Sequence, residues 1–157
     1  MCMFGAWRTI GLTAALVGAA GVRGQTPTAT AAENVIHVDI SGLRTDKGQV
    51  LCALYSSAQA DAFPKKADKA VARLTVKIVD RQAVCEFTGV APGTYAVSVV
   101  HDENSNGKLD TNFIGMPREG VGASNDAEGR MGPPKFSAAA FQYASRRVDL
   151  KIHVNYL

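Results

Sequence analysis

Single-residue alternation of apolar and polar side chains recurs along this chain and narrows its fold more than any other feature. In residues 35–43, Ile36, Val38 and Ile40 share one face while His37 and Asp39 take the other, the two-residue period of a half-buried strand. Residues 70–80 set Ala72, Leu74, Val76 and Ile78 against Arg73, Thr75, Lys77 and Val79. Residues 82–88 put Ala83, Cys85 and Phe87 on one face, and residues 147–156 do the same with Val148, Leu150, Ile152 and Val154. Gln49–Ser56 (QVLCALYS) and residues 94–101 (TYAVSVVH) are more continuously apolar and β-prone, as central strands are. Residues 44–48 (RTDKG) read as a hairpin-like turn and residues 89–93 (GVAPG) as another turn. The stretch 57–69 is polar and alanine-rich, with Phe63-Pro64 as its one apolar anchor, and suits a short helix or an irregular crossing.

Six or seven short strands joined by Gly, Pro, Asn and Asp, with no amphipathic helix, predict an all-β fold. The expected architecture is an antiparallel β-sandwich, immunoglobulin-like or transthyretin/prealbumin-like, with one long ordered loop. The 157 residues are 46% hydrophobic, enough for one domain with a substantial core and too apolar for disorder. The only Trp, Trp7, precedes the first strand, which disfavours an antibody-type core built on a Trp beside a disulfide.

Residues 1–24 read as a secretory signal peptide. Arg8 supplies the positive region and residues 9–21 (TIGLTAALVGAAG) the apolar run. Residues 22–24 (VRG) allow cleavage before Gln25, and cleavage near Ala20 or Gly21 is nearly as good. The run is shorter than the roughly 20 residues a membrane span needs. Residues 25–34 (QTPTATAAEN) form a flexible linker, and residues 35–157 the single domain. The expectation is an exported protein, periplasmic or extracellular, with no transmembrane segment in the mature chain. Its formal charge of +3 falls to +1 without Arg8 and Arg23, so no basic stripe for nucleic acid survives. The mature chain keeps Cys52 and Cys85. In an oxidising compartment they pair most simply as one structural disulfide, the alternative being two buried thiols.

Residues 103–135 form a connection rich in Gly, Asn and Asp, and connections of this length tend to be functional or disordered. Residues 102–110 (DENSNGKLD) place side-chain oxygens at positions 1, 3, 5 and 9 and glycine at 6, the offsets of a calcium loop. The candidate ligands are Asp102, Asn104, Asn106, the Lys108 carbonyl and Asp110, with Glu103 or Glu119 as a further carboxylate from elsewhere. Position 12 is Phe113 where a bidentate Glu belongs, so the expected cofactor is Ca²⁺ in a weak site, about 10⁻⁴–10⁻³ M. The alternative is a metal-free turn whose Asn and Asp side chains cap their own backbone, with Asn106-Gly107 as its left-handed corner.

A family resemblance rests on Gly93-Thr94-Tyr95, residues 101–110 (HDENSNGKLD), residues 115–119 (GMPRE), Ser124-Asn125 and residues 133–136 (PPKF). With the alanine-rich turn to Phe141 and the strand ending at Tyr156, these resemble the signature of DUF2141, a family of uncharacterised exported bacterial proteins. The resemblance spans roughly residues 35–157 and implies a small exported β-sandwich, without supplying an activity.

Three function classes follow. The first is a non-catalytic module in which the calcium-type loop orders a binding surface of Phe113, Ile114, Met116, Arg118 and Glu119. Its partner would be a cell-envelope protein or a glycan, the glycan weakened by the absence of Trp from the mature chain. For Phe113 and Ile114, packing onto the sheet is the competing expectation. The second is a structural or chaperone-like envelope protein acting through a strand edge. The third is a hydrolase built on His101, Asp102 and Ser105, Ser124 or Ser137. No nucleophile-elbow sequence surrounds these serines, and neighbours on a strand face opposite ways. His37 and His153, on exposed strand faces, show no evident partners. The expectation is that the protein is not an enzyme.

Overall fold

The computed structural model describes residues 34–129 and 132–157. The expected signal peptide, and all of the expected linker except Asn34, lie outside the described residues. In chain order the strands are β1 Val35–Ser41, β2 Gln49–Ser56, β3 Ala72–Val76, β4 Ala83–Thr88, β5 Gly93–Asp102, β6 Gly120–Ala123, β7 Phe141–Tyr143 and β8 Val148–His153. A four-residue helix, α1, covers Phe136–Ala139.

Two sheets result. One has the order β4-β1-β8; the other runs β3-β2-β5-β6, with β7 also paired to β5. All pairings are antiparallel except β1 with β8, which run parallel with Ile36 opposite Val148 and Ile40 opposite Ile152. The expectation of a wholly antiparallel arrangement is corrected at that pair.

The alternating faces are where the two sheets meet. Ile36, Val38 and Ile40 of β1 join Ala83, Cys85 and Phe87 of β4, and Val50, Cys52 and Leu54 of β2 join Tyr95, Val97 and Val99 of β5, in one buried cluster. Within it Cys52 of β2 and Cys85 of β4 form a disulfide between the sheets, with Cα atoms 6.8 Å apart.

The larger sheet also has its outer face covered, which is why β2 and β5 read as continuously apolar. Ala53 and Tyr55 of β2 and Ala96 of β5 pack there against Phe63, Ala123 and Ala139. The cover is the crossing 57–69, folded as two 3₁₀ turns, Ser57–Ala62 and Ala67–Lys69. Ser56 starts the first through a capping box: the Ala58 N–H donates to Ser56 Oγ and the Ser56 N–H donates to Gln59 Oε1, both at 3.3 Å. The Phe63 ring stands edge-on to Tyr55 at 5.3 Å and to Phe136 at 5.9 Å, the favoured arrangement for aromatic pairs.

Two expectations change. Residues 44–48 do not close a hairpin, because β1 and β2 belong to different sheets; the segment carries the chain from one layer to the other. The connection 103–135 is not one loop, because β6 interrupts it and pairs with the second half of β5, Ser98 opposite Ala123 and His101 opposite Gly120. β6 is short and half glycine for a steric reason. A methyl group at Gly120 would stand 2.6 Å from the Tyr156 ring, and one at Gly122 would stand 2.7 Å from Ile152 Cγ2, so no larger residue fits between β5 and the C-terminal strand.

Candidate functional site

β5 ends in two buried polar residues, His101 and Asp102, and the loop they begin is built outward from them. Asp102 stands opposite Gln49 in the β2–β5 register. Its Oδ2 accepts from Gln49 Nε2 and from the Gly107 N–H, both at 2.8 Å, and its Oδ1 accepts from the Asn106 N–H at 3.0 Å. One buried carboxylate thus folds the next five residues back onto the end of the strand.

The amides continue the pattern. Asn104 Oδ1 accepts from the Asn106 N–H and Asn106 Oδ1 from the Lys108 N–H, each at 3.0 Å. These bonds fix which way each amide points. The NH₂ groups are then turned to Asp110, with Asn104 Nδ2 at 2.7 Å and Asn106 Nδ2 at 3.0 and 3.1 Å from its oxygens. The Asn106 amide, then the Asn104 amide, hold the Asp110 carboxyl below the usual carboxylate range, with Lys108 and Arg118 adding to the effect. The left-handed corners fall at Ser105 and Gly107, φ 59° and 80°, rather than at Asn106.

Glu119 closes the loop. Its Oε1 accepts from the Glu103 N–H at 3.0 Å and its Oε2 from the Asp110 N–H at 2.9 Å. At 5% exposure it is buried, which corrects its assignment to the contact surface. The two N–H groups need an acceptor away from water, and the carboxylate supplies both oxygens.

The segment 44–49 braces the same base. The Arg44 guanidinium pairs with the Glu103 carboxylate, Nε to Oε1 at 2.7 Å, and lies 4.5 Å over the Tyr156 ring. That pairing holds Glu103 below the usual carboxylate range. Tyr156 Oη accepts from the Arg44 N–H at 3.0 Å and lies 2.6 Å from His101 Nδ1, while His101 Nε2 is 2.9 Å from the Lys47 carbonyl. A carbonyl only accepts, so His101 Nε2 carries a proton and donates it to the Lys47 carbonyl. Gly48, φ +78°, passes so close to Asp102 and Glu103 that a Cβ there would overlap the Asp102 carbonyl oxygen.

Residues 111–117 rise from this base as a small hairpin. Thr111 and Pro117 form its bridge. The Asn112 N–H donates to the Met116 carbonyl at 2.8 Å, and Asn112 Oδ1 accepts from the Ile114 and Met116 N–H groups at 3.1 and 2.9 Å. At its apex Phe113 is 99% exposed, Ile114 69% and Met116 44%. The expected packing of Phe113 and Ile114 onto the sheet does not occur. Lys108 and Arg118, both exposed, flank the hairpin.

The other chemical constellations are not assembled. His101 and Asp102 do not bond each other, and each is committed to other partners. Ser124 is buried, donating to the Ala139 carbonyl at 2.6 Å and accepting from the Val97 N–H at 3.0 Å, and Asn125 Nδ2 donates to the Ala140 carbonyl at 2.9 Å. His37 has partners after all, lying 2.9 Å from Glu86 Oε1 and 3.2 Å from Asp39 Oδ1, and His153 Nδ1 is 3.5 Å from Ser41 Oγ. Among the described residues no three His, Cys, Asp or Glu side chains form a metal cluster. Residues 102–110 hold three acids, Asp102, Glu103 and Asp110, with Glu103 committed to Arg44; the loop's other oxygens are the Asn104 and Asn106 amides, the Ser105 hydroxyl and main-chain carbonyls. Arg44, Lys47, Gln49 and Tyr156 support the site without any local sequence signal; only the β2–β5 register and the C-terminal strand bring them there.

No curated protein and no solved structure matches the chain. Residues 38–151 match a bacterial family described as "Uncharacterized protein conserved in bacteria (DUF2141)". That span holds Cys52 and Cys85, the capped loop and the hairpin above it, and the chain belongs to this family.

Proposed function

We propose that this protein is an exported, non-catalytic binding module, an immunoglobulin-like or prealbumin-like sandwich that presents residues 113–116 to a partner in the cell envelope. The observation that carries this reading is the exposure of Phe113, Ile114 and Met116 together at the apex of a hairpin that Asn112 and Glu119 hold by hydrogen bonds. Exposed apolar side chains cost solubility, and a rigid loop that clusters them is a feature of binding surfaces. Export is supported by the apolar segment 9–21 and by the disulfide, which suits an oxidising compartment.

A photo-activatable phenylalanine analogue at position 113, in cells producing the protein, tests the surface. The same analogue at Thr75, exposed on the edge strand β3, is the control. Cross-linking from 113 and not from 75 is expected. Cross-linking from 75 alone would instead favour an edge-binding, chaperone-like protein, and none from either position would remove the binding reading.

Calcium at residues 102–110 belongs to the same proposal. The Asn104 and Asn106 oxygens each use one lone pair on an N–H and keep another. A cation taken up by those lone pairs and the Asp110 carboxylate would draw Asp110 away from the Asn NH₂ groups that now bond it. A weak site predicts a small rise in melting temperature at millimolar calcium, absent with magnesium and absent in Asp110→Ala. No rise would leave the loop as a turn held by its own hydrogen bonds.

A further inference from the structure

We infer that the apex of the 111–117 hairpin inserts into the surface of an anionic phospholipid bilayer, an inference that rests on the binding-module reading and names its partner. Shape is the first argument. Phe113 and Ile114 crown a narrow projection closed by the Thr111–Pro117 bridge. Stable protein interfaces bury about 800 Å² on each side, more than an apex of three side chains supplies. A bilayer accepts a convex apolar wedge at the boundary of headgroups and acyl chains.

Charge is the second. Each carboxylate of the base already has partners: buried Asp102 takes the Asn106 and Gly107 N–H groups, buried Glu119 those of Glu103 and Asp110, Asp110 two asparagine amides, and Glu103 the Arg44 guanidinium. Lys108 and Arg118 flank the projection, exposed, and neither enters an ion pair among the described residues. Apolar residues at an apex with cations beside it match a surface that is apolar beneath and anionic above. Rigidity is the third. Asn112 bonds both sides of the apex, so insertion needs little ordering of the loop.

The test uses the full chain carrying Trp7→Phe and Phe113→Trp, which leaves one tryptophan, at the apex. Vesicles of phosphatidylcholine alone and of phosphatidylcholine with phosphatidylglycerol are compared, with bromine on the acyl chains as a contact quencher. A blue shift and quenching are expected on the anionic vesicles. Lys108→Glu with Arg118→Glu should weaken the apparent affinity at least tenfold, as should Ile114→Ser. Salt at 1 M should weaken it as well, since the screening length falls from about 10 Å at 0.1 M to about 3 Å. Because the signal arises at position 113, association through residues 9–21 does not reproduce it. Equal insertion into neutral vesicles would overturn the anionic preference. An unchanged spectrum, with position 113 cross-linking to a protein or a glycan in cells, would overturn the lipid inference and leave the binding module standing. An unchanged spectrum with no cross-link would remove both.

Discussion

Glu119 lies buried between two N–H groups from opposite ends of the loop, at Glu103 and Asp110. Glu119→Gln keeps one acceptor but turns an NH₂ group toward a donor. It should cost about 1–3 kcal/mol, read as a lower denaturant midpoint. Glu103 and Asp110 set an acid limit on the same loop. Arg44 lowers the first, and the Asn106 and Asn104 amides lower the second. A depressed carboxyl contributes stability in full above its unfolded value, about 4, and loses it as pH falls through the folded value. Protection of the Asn106 amide against hydrogen exchange should therefore hold at neutral pH and decline with acid below about 4. In Asp110→Asn the decline should be shallower. Burial of Glu119 was not legible locally, since glutamate is among the residues least often buried. Phe113 shows the converse: an apolar residue in a loop is expected to pack, and only the hairpin held by Asn112 keeps it out.

The segment β6 lacks every local mark of a strand. GVGA has no alternation and two residues that weaken strands, and it forms because β5 offers a partner and Gly120 and Gly122 admit Val154, Tyr156 and Ile152 against it. Gly120→Ala should overpack this contact and cost about 1–3 kcal/mol, checked by thermal unfolding. Phe113→Ser, by contrast, should leave the melting temperature nearly unchanged, because a side chain in full contact with water contributes no packing. Segment 44–48 shows another limit. RTDKG has the chemistry of a turn whether the next strand pairs with the last or joins the other sheet, and β1 hydrogen-bonds to no strand of the sheet that holds β2.

Across the whole molecule, one covalent link ties the layers together. Cys52 and Cys85 are 33 residues apart in sequence and sit on facing strands of the two sheets. Reduction should lower stability by about 3–4 kcal/mol on the chain-entropy account, measured as the shift in denaturant midpoint with and without reductant. The large sheet carries its cover of 3₁₀ turns and α1 on the outer face, around Phe63. The candidate site lies where β2, β5, β6 and the chain following β8 converge, so its base is held by several elements rather than by the loop alone.

The features legible along the chain are local and periodic. Alternation assigned the inward faces of β1, β4 and β8, the two cysteines of the domain marked a structural disulfide, and the spacing of Asp102, Asn104, Asn106, Gly107 and Asp110 marked a tight polar loop. These follow from side-chain direction and turn chemistry, which act over a few residues. Tertiary structure alone decided the rest: that β1 lies parallel to β8, that Gln49 and Glu119 hold the loop from outside it, and that Phe113 faces water. Those outcomes depend on which distant backbone donors and apolar surfaces become neighbours, and that is set by the pairing of strands far apart in the chain.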